Sequence, residues 1–152
     1  MKKVMIKALM VICILTFVPT LSKSNGLSRT DKANKPELQA TGRDKGIGPF
    51  KDVKLEPVDK IKVRKGLGIF MDKCFICHEL DNKKLGPPLR NITKQDTPEF
   101  ILNMIVNPVE MQKLNPRIKE QMKKYNNLPM LDLQISQTDA LNILEYLRST
   151  AK

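Results

Sequence analysis

Cys74-Phe75-Ile76-Cys77-His78 is the stretch that decides how this chain of 152 residues is built. It has the form C-x-x-C-H, the attachment sequence of a c-type haem, in which two thiols form thioether bonds to the porphyrin. His78 follows directly and is the single histidine of the chain, so its imidazole can bind the iron as the proximal ligand. The motif therefore predicts one covalently attached haem c, held by Cys74, Cys77 and His78.

Two other interpretations of the motif are weaker. A C-x-x-C pair can be a dithiol redox site, but that site usually accompanies a βαβ pattern, and no segment here alternates like a strand. The pair could also be two core cysteines with no chemical role. A zinc site would need further His and Cys ligands, and outside the motif the chain has only Cys13.

Residues 1–24 are typical of a secretory signal peptide. A basic start is followed by an apolar run over residues 8–18 and then by small residues up to Ser24. The run is shorter than the roughly 17–25 residues that a membrane span needs. An uncleaved N-terminal anchor is the alternative, because the A-x-A cleavage pattern is missing. Cys13 lies inside the apolar run, so cleavage would remove it and leave the two motif cysteines.

The chain is strongly basic, with a formal net charge of +11. Removal of residues 1–24 would take away four lysines and no acid, which leaves +7. A basic surface steers acidic partners toward the protein, and it equally serves solubility. Nucleic acid is not expected as a partner, since the chain has no recognition motif and carries an export signal.

Residues 25–57 form a polar leader that we expect to be partly flexible, and residues 58–152 form the haem domain. The first helix is predicted from near Val58 to the motif, with Gly66 as the point where another element approaches closely. Three further helices are predicted from their N-cap and first-turn residues. The start signals are Thr97-Pro98-Glu99, Asn115-Pro116 and Ser136 with Asp139.

Met130 is the predicted second axial ligand of the iron, because the single histidine is already used and methionine is then the natural choice. It follows Asn126-Asn127-Leu128-Pro129, a stretch without helical periodicity, and lies 52 residues beyond His78. Met104 and Met122 belong to apolar stripes and are predicted to be core, and Met71 is too near the motif. Met111 and an open site remain as alternatives.

Gly86-Pro87-Pro88-Leu89 predicts a tight, rigid turn soon after the motif. A carbonyl there, with Pro87 the first choice, could accept a hydrogen bond from the second ring nitrogen of His78. That contact would select one imidazole tautomer and strengthen the histidine as a donor to iron. Pro87 is therefore placed with the cofactor-binding residues.

In this combination of residues the chain resembles class I c-type cytochromes. The matching positions are Gly66, Phe70, Cys74, Cys77-His78, Gly86-Pro87-x-Leu89, Met130, Tyr146 and Leu147. The resemblance implies an all-α bundle of about four to five helices around one haem, with crossed N- and C-terminal helices. It also implies that Gly66 packs against Tyr146. The implied activity is one-electron transport in an exported respiratory chain in the periplasm, with no enzymatic activity.

A closer likeness is to small exported cytochromes that accompany nitrous-oxide reductase. It rests on Gly46-Ile47-Gly48-Pro49, the stretch from Thr97 to Met104, Asn107-Pro108-Val109-Glu110-Met111 and the final helix. Two departures stand out, because Leu131 follows Met130 where many family members have proline, and the chain has no tryptophan. The implied partners are redox proteins with an acidic docking face, such as nitrous-oxide reductase or another terminal reductase or oxidase.

The docking rim of the haem edge is predicted to be positive, formed by Lys73, Lys83, Lys84 and Arg90. Two other functions stay open beside the free carrier. The chain could be the haem subunit of a larger redox complex, or an enzyme or sensor with an open iron site. The lack of a second histidine for acid–base work argues against peroxidase chemistry.

Overall fold

A computed structural model describes residues 44–152 of the chain. The predicted signal peptide of residues 1–24, and the leader as far as residue 43, lie outside the described residues. Within them every regular element is a helix, which confirms the all-helical fold. The six α-helices are α1 (Lys60–Ile69), α2 (Ile92–Gln95), α3 (Pro98–Val106), α4 (Pro108–Leu114), α5 (Pro116–Lys123) and α6 (Gln137–Thr150). One π-helical turn, Phe70–Cys74, extends α1.

The helix starts follow the capping residues of the sequence. Asp59 accepts hydrogen bonds from the backbone N–H groups of Ile61 and Lys62 at the start of α1. Thr97, Asn115 and Ser136 cap α3, α5 and α6 in the same way, as predicted. These side chains satisfy backbone donors that have no partner inside the helix.

Helix α4 was missed by the sequence prediction, which named no helix between the one that begins after Thr97 and the one that begins after Asn115. Asn107-Pro108 is the same start signal that was used for α5, but here Asn107 makes no side-chain capping bond. With α4 and the single turn α2 included, the described part has six α-helices instead of the four to five expected.

The core forms where α1 crosses α6. Gly66 is buried at the crossing, and a Cβ there would lie 2.5 Å from the carbonyl carbon of Asn142. The atoms nearest to that position are thus backbone atoms of Asn142 and Ile143, and the predicted contact of Gly66 with Tyr146 stays a prediction. Tyr146 lies one helical turn further along α6 and packs against Phe70 in a tilted arrangement, with ring centroids 5.1 Å apart. Glycine is needed at position 66 because the backbone of α6 occupies the space of a side chain.

The buried face of α6 consists of Ala140, Ile143, Leu144 and Leu147, which are all at most 2% exposed. The apolar side of α1 is only partly buried. Its close contact with α6 is made by Gly66 and Phe70, whereas larger aliphatic residues such as Ile61 remain exposed.

Residues 44–53 lie against α3 without forming a helix. The carboxamide of the fully buried Asn103 donates to the carbonyl groups of Lys45 and Phe50, and it accepts the N–H of Phe50 at 3.0 Å. Glu99 accepts the N–H of Val53 at 2.8 Å. Polar side chains of α3 thus satisfy the backbone of a segment that has no secondary structure of its own.

No helix between residues 44 and 152 has the length and apolar character that would let it cross a membrane.

Candidate functional site

The π-helical turn at the end of α1 presents the C-x-x-C-H motif. The N–H of Phe75 donates to the carbonyl of Phe70 at 2.9 Å, which widens the last helical turn. The N–H groups of Cys77 and His78 then both donate to the carbonyl of Cys74, at 3.0 and 2.9 Å. The two thiols and the imidazole are thereby held on one compact turn. Cys74 and Cys77 are both half-buried and form no disulfide.

The segment after the motif folds back on it. Gly86 donates its N–H to the carbonyl of Cys77 at 2.8 Å, and Leu89 donates to the carbonyl of Glu79 at 3.0 Å. Nζ of Lys84 closes the loop between them by donating to the carbonyl of Phe75 at 2.7 Å. The Gly86-Pro87 turn therefore lies beside the motif, as its rigid sequence suggested.

The orientation of the His78 ring is set by this turn. Nδ1 of His78 lies 2.9 Å from the carbonyl oxygen of Pro87, the contact that the sequence predicts. A carbonyl can only accept, so Nδ1 carries the proton and Nε2 keeps its lone pair. Gly86 lies directly against the ring, and a Cβ at that position would be 2.7 Å from Nδ1. The glycine thus leaves the space that the imidazole occupies.

Burial keeps the site residues uncharged. It lowers the pKa of His78 from its usual value, and the hydrogen bond to Pro87 opposes that shift only in part. The imidazole is therefore neutral near pH 7, the form that binds a metal. Burial also raises the pKa of the Cys74 thiol to about 11, with a smaller effect from Cys77. Both shifts follow from the cost of placing a charge in an apolar environment.

These residues fit a covalently bound haem. Two thiols on one turn are available for thioether bonds, and the adjacent imidazole has Nδ1 engaged and Nε2 available for iron. Between residues 44 and 152 no cluster of three or more His, Cys, Asp or Glu side chains could hold a metal ion. The C-x-x-C-H donor set is that of a haem c.

Met130 lies in the connection between α5 and α6. It is half-buried and lines an open cavity of about 410 Å³ together with side chains of α4 and α5. Its backbone is held by Gln112 of α4, a residue that the sequence analysis did not single out. No sequence signal would have found Gln112, because the helix that carries it was not predicted.

Met111, the alternative second ligand of the iron, is buried in the core and its sulfur is already hydrogen-bonded. It is fully buried in a core cluster with Phe100 and Ile118, and its sulfur accepts the N–H of Ile47 at 3.0 Å. Met104 and Met122 pack against the same cluster, as expected for core residues. Ligation by Met130 remains a prediction.

The predicted basic rim is partly neutralised by its own neighbours. Lys73 pairs with Asp72 at 3.1 Å, Lys84 lies 3.8 Å from Glu79, and Arg90 makes a forked pair with Asp81. Lys83 differs from these, because it donates to the carbonyl of Lys124 and lies 4.6 Å from the centre of the Tyr125 ring. Among the residues that the structure describes, Lys83 has no acidic partner.

Comparison with known proteins gives a consistent result. The family model described as cytochrome c matches residues 63–151. The solved structure of cytochrome c from Rhodothermus marinus is 37% identical and superposes with a TM-score of 0.66; the match covers 68% of this chain and 90% of that one. An engineered form of that cytochrome, bound to a carbene intermediate, is 35% identical with a TM-score of 0.63 and the same coverage. No curated protein matches the chain.

The matched residues include the whole C-x-x-C-H turn, the Gly86-Pro87 turn and the crossing of α1 with α6. Both the family model and the solved structures cover more than half of the chain. The chain therefore belongs to the cytochrome c family, as a class I mono-haem protein with one covalently attached haem c.

Proposed function

We propose that this cytochrome is a one-electron carrier whose iron is held by His78 and Met130. The observation that carries the proposal is the fixed imidazole of His78, with Nδ1 engaged by Pro87 and Nε2 left for the metal. When bound, the haem supplies a one-electron redox centre. With both axial positions filled, no substrate reaches the iron, and the protein's task is to hold its ligands still.

The chain's own residues support such a rigid site. The carbonyl of Pro87 holds the ring tautomer and raises the donor strength of His78, and Gly86 allows the close contact. Burial of His78 lowers the pKa of its imidazole and so keeps the ring neutral. These features favour electron transfer with little change of geometry between oxidation states.

We further propose that the protein is exported to the periplasm and exchanges electrons with a partner whose docking face is acidic. The formal charge of +11 supports such a partner. Within the predicted rim, Lys83 offers the charge least neutralised by neighbouring acids, so we expect docking near Lys83 and Tyr125. Nitrous-oxide reductase or another terminal reductase or oxidase fits this role, and an uncleaved N-terminus would place the same chemistry at the membrane.

The experiment that tests the ligation compares holoprotein spectra of the wild type, Met130→Ala and Met71→Leu. Methionine bound to ferric haem gives c-type cytochromes a weak red absorption band. We expect this band in the wild type and its loss in Met130→Ala. Met71→Leu is the control, because Met71 is 49% exposed on the π-helical turn and was excluded as a ligand. It should keep the band.

Two outcomes would contradict the proposal. A band that persists in Met130→Ala would assign the ligand to another residue. A wild type that lacks the band and readily binds carbon monoxide in the ferrous state would have an open iron site. In that case an enzymatic or sensing function would replace the electron carrier.

A further inference from the structure

We propose that Gln112 is the positioning residue that holds Met130 in place for iron ligation. The inference rests on the proposed role of Met130 and adds the device that fixes its place. Gln112 lies on α4 and reaches the loop between α5 and α6 with its carboxamide. It contacts the backbone of Met130 and leaves that residue's side chain unconstrained by hydrogen bonds.

The carboxamide of Gln112 forms hydrogen bonds to both backbone polar groups of Met130. Oε1 accepts the N–H of Met130 at 2.7 Å, and Nε2 donates to the carbonyl of the same residue at 2.9 Å. This is the pairing that one strand residue offers another in an antiparallel sheet. Two bonds to one residue fix both its distance from α4 and its rotation.

A third bond fixes the orientation of the carboxamide itself. Nε2 of Gln112 also donates to the carbonyl of Pro108 in the same helix, at 2.8 Å. A flipped amide would place Oε1 against two carbonyl oxygens, those of Pro108 and Met130, and Nε2 against an N–H group. Only one orientation therefore satisfies all three contacts.

Helix α4, which carries Gln112, is itself packed into the core. Pro108 and Met111 are both fully buried, and the Met111 sulfur accepts the N–H of Ile47. The residue next to Gln112 in the sequence is thus part of the core. A side chain of glutamine length on such a helix has little freedom once its amide is engaged, so the position of Met130 follows that of α4.

The loop around Met130 has few other restraints. Asn126 and Asn127 turn the chain with positive φ angles of 56° and 55°, and neither they nor residues 128–136 form a regular element. Within the part of the chain that the structure describes, the backbone of residues 129–133 bonds to another element only at Met130. The two hydrogen bonds from Gln112 therefore restrain the residue that is predicted to bind the iron.

The test is the apparent affinity of the ferrous holoprotein for carbon monoxide in Gln112→Leu. Leucine is similar in size to glutamine and has no sulfur that could bind iron, but it removes the three hydrogen bonds. Carbon monoxide competes with the sulfur of Met130, so a loosened Met130 should raise this affinity by roughly tenfold, as expected for the loss of a partly buried hydrogen bond. The red band of the ferric protein should weaken in parallel.

The matched control is Gln121→Leu on α5. Gln121 is also half-buried, and its carboxamide bonds to none of residues 44–152. It should leave the carbon monoxide affinity and the red band unchanged. Gln112→Asn is the second test variant, since it stays polar but is too short to reach Met130. It should behave like Gln112→Leu even if that variant accumulates poorly.

Wild-type affinity and an unchanged red band in both Gln112 variants would overturn the inference. Met130→Ala, measured in the same series, separates this failure from failure of the proposed ligation. If Met130→Ala loses the band while both Gln112 variants keep it, Met130 is the ligand and Gln112 does not position it. If Met130→Ala keeps the band, the ligand assignment and the role of Gln112 fall together.

Discussion

Gly66→Ala should destabilise the protein at the crossing of α1 and α6. The added Cβ would overlap the carbonyl oxygen of Asn142 and lie 2.5 Å from its carbonyl carbon, where contacts below 3.0 Å essentially never occur. Both sides of the clash are helix backbone, so no side chain can rotate away, and the helices must separate by about 1 Å. The separation loosens the packing of Phe70 and Ile143, both of which are 1% exposed.

The size of the effect is the balance of two terms. Overpacking of a core costs up to about 3 kcal/mol in the usual range. Replacing glycine by alanine inside a helix stabilises the helix by about 1 kcal/mol. The free energy of unfolding of Gly66→Ala should therefore fall by about 2 kcal/mol, which moves the urea midpoint down by about 1 M for a slope of about 2 kcal/mol per molar. Urea titration of the holoprotein, followed by helical circular dichroism, measures it.

Gly68→Ala is the matched control, two residues along the same helix. A Cβ on Gly68 would meet no atom within 4 Å, so only the helix-propensity term acts and the variant should gain about 1 kcal/mol. A Gly66→Ala protein as stable as the wild type would show that α1 and α6 do not pack through Gly66. If both variants shift stability equally, burial at the crossing plays no part.

Two further predictions concern the motif and the start of α1. Gly86→Ala would bring a Cβ to 2.7 Å from Nδ1 of His78, so we expect the ring to be displaced. The free energy of unfolding should fall by about 1–3 kcal/mol, and the ferric spectrum should change. An unchanged spectrum would contradict this reasoning. The N–H groups of Lys62 and Ile61 lower the pKa of the Asp59 carboxylate from its ordinary value of 3.8. The ionised cap therefore stabilises the fold at pH values above 3.8, and this stabilisation is lost as the pH falls through the lowered pKa. The stability difference between wild type and Asp59→Asn, measured by urea titration between about pH 7 and pH 2, should shrink toward low pH, and a pH-independent difference would argue against the cap.

Much of the haem turn could be predicted because its chemistry is local in sequence. The motif places both thiols and the histidine within five residues, and the rigid Gly86-Pro87 turn follows closely enough to suggest the contact with His78. Helix starts were predictable for the same reason, since Thr97 and Ser136 cap backbone groups only three residues away. Such interactions depend little on the rest of the chain.

Contacts between distant residues could not be predicted in this way. The sequence marked Gly66 as a crossing point but did not indicate that the backbone of Asn142 lies nearest to it, because the rotation of α6 decides which of its residues meet the glycine. Likewise, the structure made Phe70 the partner of Tyr146. Periodicity shows that a helix has a buried face but does not show which turn of another helix packs on it.

The sequence alone determined the cofactor and the all-helical class and predicted the proximal ligand, because the C-x-x-C-H spacing and the capping residues act over short stretches of chain. The tertiary structure alone decided that Met111 lies in the core, where its sulfur accepts a backbone hydrogen bond. It also decided that Gln112 bonds to the backbone of Met130, 18 residues away in the sequence. Those roles depend on how α4 packs against its neighbours, and packing is a property of the whole fold that no local pattern of residues contains.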